Sequence, residues 1–157
     1  MTAREWFDEP DPTGLTATGE RGLRFACTMC GSCCTGPSGY VLFTPEEAEA
    51  MAAKAGLSAQ EFWETKTRDT IMGRSLAERT TAFGQDCVFL DRESAPGKAV
   101  CSLYEARPMQ CRTWPFWKGN LASPRHWERA SRGCPGMNRG ELTPPEVIRL
   151  TRDRLDI

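Results

Sequence analysis

Cys27-Thr28-Met29-Cys30-Gly31-Ser32-Cys33-Cys34 packs four of the chain's eight cysteines into eight positions. No helix or strand needs four thiols this close together for packing. Zn2+ and the iron of Fe–S clusters do, because they bind Cys sulfur at short, fixed distances. Each C-x2-C step sets two sulfurs on one tight turn, so both reach an ion with little loop entropy lost. Gly31 supplies the positive φ that such a turn calls for. The adjacent Cys33 and Cys34 are expected to diverge: one points into a site and the other away, or the two bind different ions. A plain buried thiol at one of them is the simpler alternative. Cys87, Cys101, Cys111 and Cys134 complete the set.

Compartment decides between metal and disulfides. The opening Met1-Thr2-Ala3-Arg4-Glu5-Trp6-Phe7-Asp8-Glu9-Pro10 has neither a basic n-region nor an apolar h-region. The expectation is therefore a cytoplasmic protein with reduced thiols, where cysteine clusters serve metal or redox chemistry. A disulfide framework would also have to select among about 105 pairings of eight cysteines. No apolar run suits a membrane span. A formal charge of −1, from 20 basic and 21 acidic residues, excludes a strongly basic nucleic-acid surface. The expected partner is a metal ion, with no nucleic acid and no membrane. Net charge does not choose the metal, because two Zn2+ or two [4Fe–4S]2+ clusters on eight thiolates give the same sum.

A chain of 157 residues is one ordinary domain. Its hydrophobic fraction of 39%, with 14 Gly and 11 Pro, implies a thin, loop-rich core that gains from metal staples. The expected fold is α+β: a small, irregular single domain with short helices, a β-hairpin and thiolate metal sites. Residues 1–22 read as a flexible tail broken by Pro10, Pro12, Gly14 and Gly19, although Trp6 and Phe7 can dock. Residues 23–157 form the cysteine-cluster domain. Tyr40–Phe43 is a short strand candidate. Thr44, Pro45 and Glu47 start a helix that Gly56 stops, with Ala48, Met51, Ala52 and Ala55 on its inner face. Ser58 and Glu61 cap a second helix that buries Phe62 and Trp63; Met51 and Met72 are assigned to the core. Cys87-Val-Phe-Leu and Ala99-Val-Cys101 flank a turn-rich stretch, and a hairpin there would bring Cys87 beside Cys101 as one ligand pair. A last helix begins at Thr143–Glu146 and turns Val147, Ile148, Thr151 and Leu155 inward.

The ordered blocks Cys27-x2-Cys30-x2-Cys33-Cys34, Cys87-Val-Phe-Leu and Cys101-Ser-Leu-Tyr104-Glu105-Ala106-Arg107-Pro108-x2-Cys111-Arg112-Thr113-Trp114-Pro115 resemble the YkgJ-type cysteine-cluster family over residues 25–136. The resemblance implies zinc or iron chelation, with all eight cysteines as metal ligands. The family includes a relative in flagellin lysine N-methylation. An enzyme or accessory that uses the cluster for redox or protein modification is therefore the alternative. This chain shows no glycine-rich cofactor loop after a strand, which leans against an enzyme. C-x2-C-x2-C also opens a bacterial ferredoxin run, whose remote cysteine precedes proline as in Cys134-Pro135. That tilts the expectation from zinc toward iron in an Fe–S cluster. Pro108 opens a short helix under Cys111, and Arg107 and Arg112 bracket it as donors to sulfur or offsets to cluster charge. Trp114, Phe116 and Trp117 either shield the site or fill the core. His126, the single histidine, leaves no material for a His-based triad.

Overall fold

A computed structural model describes residues 3–16 and 18–155. In chain order its elements are β1 (Leu23–Phe25), α1 (Pro45–Ala55), α2 (Ala59–Lys66), β2 (Thr67–Thr70) and β3 (Gly73–Leu76). They continue with β4 (Glu78–Thr81), β5 (Gly84–Cys87), β6 (Leu90–Asp91), β7 (Val100–Cys101) and α3 (Met109–Thr113). The last are α4 (Lys118–Leu121), α5 (Pro124–Ser131), β8 (Met137–Thr143) and α6 (Pro145–Arg152). The mixture of helices with small antiparallel strand pairs is the expected α+β class. The chain divides into two compact units, residues 29–112 and residues 1–28 with 113–157.

In the 29–112 unit the helix signals act locally and appear as read. Thr44 accepts from the Glu47 N–H while Glu47 reaches back to Thr44, and Gly56 closes α1 at φ 71°. Ser58 and Glu61 form the same reciprocal cap on α2. Met51, Ala52, Phe62, Leu76, Phe89 and Leu103 make the core of this unit. Trp63 is corrected: it is half exposed, and the Arg74 guanidinium lies 4.3 Å from its ring centroid. Met72 is likewise exposed, at the β2–β3 turn.

Two hairpins, β2–β3 and β4–β5, were not foreseen, because strands such as Thr67-Arg-Asp-Thr70 lack apolar alternation. The third hairpin, β6–β7, is shorter than expected and pairs Leu90 with Cys101. Cys87 lies instead at the end of β5, opposite Glu78. Asp91 explains the short ladder: its carboxylate accepts from the Glu93 and Ser94 N–H groups, turning the chain immediately after β6. Tyr40–Phe43 is extended but forms no ladder beyond the Leu42–Ser75 bridge. Side chains hold it: the Val41 N–H donates to Ser75 Oγ and the Leu42 N–H to Gln110 Oε1.

The other unit builds its core from Phe7, Leu23, Phe116, Leu121, Trp127, Cys134, Met137 and Ile148. Phe116 stacks on Trp127 with centroids 5.8 Å apart, so it is packing here. The segment expected as a tail contributes Phe7, 1% exposed, and its Trp6 Nε1 donates to the Leu121 carbonyl. On α6, Ile148 faces inward and Val147 outward, which corrects the expected inner face. β1 pairs with β8 through Leu23–Thr143, Arg24–Leu142 and Phe25–Met137. A Cβ at Gly136 would sit 2.1 Å from the Ala26 carbonyl oxygen, so glycine is what permits this approach.

Arg149 joins the two ends of this unit by donating to both Glu5 and Asp8. The Arg149 hydrogen bond, helped by the Glu5 N–H, holds the Asp8 carboxyl below the usual range. The unfolded chain therefore binds more protons in acid. The contribution is complete above the unfolded pKa near 4 and is lost as pH falls below it. Urea unfolding should show the advantage of wild type over Arg149→Met shrinking between pH 7 and pH 3. An advantage that does not change with pH would contradict this pairing.

Candidate metal centre

The cysteine run is a chain of turns rather than a strand or helix. Gly31 has φ 79°, as the run required, and a Cβ there would press within 2.6 Å of the Ala99 Cβ. Ser32–Cys34 then forms one 3-10 turn, closed by the Cys34 N–H on the Gly31 carbonyl at 2.9 Å. This corrects the expected divergence of the neighbouring cysteines. Helical backbone turns successive side chains by far less than the half-turn of a strand, so the Cys33 and Cys34 sulfurs lie 3.7 Å apart.

Three other sulfurs gather around this pair. The Cys34 thiol feels the charges of Cys33, Cys111 and Cys87; Cys111 feels Cys87, Cys101 and Cys33. The charge of Cys101 also raises Cys87, although the two are not opposite each other in a ladder as the hairpin reading expected. β5, β7 and α3 thus each deliver one cysteine toward the 3-10 turn. Pro108 caps α3 as anticipated, accepting from the Cys111 N–H at 3.0 Å.

The electrostatics are those of crowded thiols. The hydrogen bond from Cys34 brings Cys33 down to about 7, and sharing that proton drives Cys34 strongly up. Burial pushes Cys87 up to about 11 and raises Cys101 and Cys111 as well. Backbone donors oppose this: the Phe89 N–H serves Cys87, the Leu103 N–H serves Cys101, and the Ser32 N–H lies 3.5 Å from Cys30 Sγ. Each donor sits two residues beyond its cysteine. That recurring turn aims an N–H at sulfur, which favours the thiolate that a metal requires.

A family model, CxxCxxCC, described as "Putative zinc- or iron-chelating domain", matches residues 26–135. The chain belongs to the CxxCxxCC family. No solved structure matches it.

Cys27 and Cys134, the two cysteines of this CxxCxxCC chain outside the 29–112 unit, lie in the segments that run on from one end of the β1–β8 ladder. The Ala26 N–H donates to the Gly136 carbonyl at 3.0 Å, setting the two cysteine-bearing segments side by side. Cys134 is buried in the core of its unit, whereas Cys27 is exposed. None of the eight cysteines is in a disulfide. Among the described residues, no three Cys, His, Asp or Glu side chains form a closed ligand set.

Of the two bracketing arginines, Arg107 is the one near sulfur, where its charge lowers Cys33, Cys101 and Cys111. It stacks 3.8 Å over Tyr104. Arg112 points elsewhere: its Nε donates to the Arg107 carbonyl at 2.6 Å and its Nη2 to the Glu105 carbonyl. It secures the turn that presents Arg107. His126 is exposed at the start of α5, with Nδ1 2.8 Å from Ser123 Oγ. No helix among the described residues is long and apolar enough to cross a membrane. Sequence reading missed Asp86, a buried carboxylate beside Cys87 in β5, because that strand was itself not foreseen.

Proposed function

We propose that the chain is a metal-chelating protein whose 29–112 unit binds a single zinc or iron ion through thiolates drawn from Cys30, Cys33, Cys34, Cys87, Cys101 and Cys111. The observation that carries this reading is the Cys33–Cys34 pair, its two sulfurs side by side on one 3-10 turn, while backbone N–H donors at Cys87 and Cys101 offset part of the burial that keeps those thiols protonated. Tetrahedral Zn–S bonds of 2.3 Å set neighbouring sulfurs about 3.8 Å apart. The 3.7 Å between Cys33 and Cys34 fits two ligands on one ion. Ligands on different irons of a cluster stand further apart, so this spacing favours one ion over the Fe–S cluster that the ferredoxin-like run suggests. When bound, the ion supplies the positive charge that lets these thiols ionise together. Arg107 offsets the remaining negative charge, and the hairpins hold the sulfurs in place. Cys27 and Cys134 are a further candidate pair in their own unit.

Metal and acid-labile sulfide analysis of anaerobically purified protein tests this. Stoichiometric zinc or iron without sulfide is expected. Absence of metal would overturn chelation, and iron with matching sulfide would replace the single ion by a cluster. A second reading, a redox or protein-modifying accessory, has the exposed Cys33 at about 7 in its favour. Iodoacetamide separates the two in metal-loaded protein: a ligand is protected, whereas a reactive Cys33 is alkylated.

A further inference from the structure

Asp86 is 0% exposed in β5, immediately before Cys87, and a buried carboxylate without partners would cost several kcal/mol. Its partners reach outward to two other segments. Arg92 Nε donates to Oδ2 at 2.7 Å and Nη2 to Oδ1 at 2.9 Å, while the Thr35 hydroxyl donates to Oδ1. Thr35 is the residue after Cys34. The neighbouring backbones are tied as well: the Gln85 N–H donates to the Gly36 carbonyl at 2.8 Å. A Cβ on Gly84 would lie 2.8 Å from that same oxygen. Arg92 is held from its other side by Phe83, with the guanidinium 3.9 Å from the ring centroid, which gives this exposed aromatic a task.

We propose that Asp86 is a positioning residue for the metal centre: bound by Arg92, it takes the Thr35 hydroxyl and so holds the Cys34 turn against the Cys87 strand. This rests on the chelating reading above. The bond fixes two donors before an ion arrives, so less ordering remains to be done on binding. Outer partners of this kind change metal affinity about 10- to 100-fold when removed.

Thr35 gives the cleaner test, because Asp86→Ala risks misfolding. Thr35→Val keeps the shape and deletes the hydroxyl; Thr35→Ser keeps the hydroxyl and deletes a methyl group. Co2+ titration, followed by the thiolate-to-cobalt charge-transfer band and competed with Zn2+, measures affinity in the full chain. Thr35→Val should weaken binding by about tenfold or more while Thr35→Ser stays near wild type. In an Asp86→Asn background, Thr35→Val should cost less than it does alone, because the two side chains share one bond. Unchanged affinity in Thr35→Val, or greater loss in Thr35→Ser than in Thr35→Val, would overturn the positioning role and leave the chelating reading standing. A wild type that shows no thiolate–cobalt band would overturn both.

Discussion

Removing metal from the purified protein is expected to abolish its cooperative unfolding transition. Thiolate sites supply on the order of 10 kcal/mol of folding free energy, as much as the whole stability of an ordinary domain. The 29–112 unit has little to replace it. Its core is built on a few residues from α1, α2 and the strand ends, and its β6–β7 hairpin is only two residues per strand. Without the ion, half-buried Cys34, Cys87, Cys101 and Cys111 remain crowded and must stay protonated. Calorimetry before and after strong chelation checks this, and a metal-free protein that melts unchanged would defeat it. Cys111→Ser should act in the same direction, since a protonated hydroxyl replaces a soft thiolate. His126→Ala should keep both metal and melting temperature, because that imidazole bonds Ser123 at the surface. Retained metal in Cys111→Ser would remove α3 from the site.

Features set by residues within one turn of each other were legible in the sequence: the caps at Thr44 and Ser58, the stop at Gly56 and the positive φ of Gly31. The cysteine run pointed to the correct family for the same reason, since its spacing is local. What was not legible depends on partners distant in the chain. Nothing near Trp63 distinguishes it from Phe62; Arg74, arriving from β3, gives Trp63 a place at the surface. Nothing near Cys87 shows that β4 will take it as a partner before β7 can. Asp86 takes its partners from Thr35 and Arg92, and Thr35 lies 51 residues away in the chain. The divergence expected of Cys33 and Cys34 would hold on an extended backbone, and a single 3-10 turn reverses it.

Phe62 and Trp63 are neighbours in α2, and replacing each with alanine should separate core from surface by several kcal/mol. Phe62 is 1% exposed, stacks on Phe89 with centroids 6.1 Å apart and meets Phe43 edge-on at the same distance. Phe62→Ala leaves a cavity between two rings that cannot both move in, which should cost about 3–5 kcal/mol. Trp63→Ala removes a ring with one wet face and one cation contact, and should cost about 1 kcal/mol or less. Urea unfolding of metal-saturated protein measures both. Phe89 also lends its N–H to Cys87, so the Phe62 cavity should loosen the strand that presents this thiol. Metal affinity should then fall in Phe62→Ala and hold in Trp63→Ala. Equal stability losses would show that α2 does not bury the face assigned to it. A Phe62→Ala protein that is destabilised yet binds metal as wild type does would show that the core and the sulfur cradle are mechanically separate.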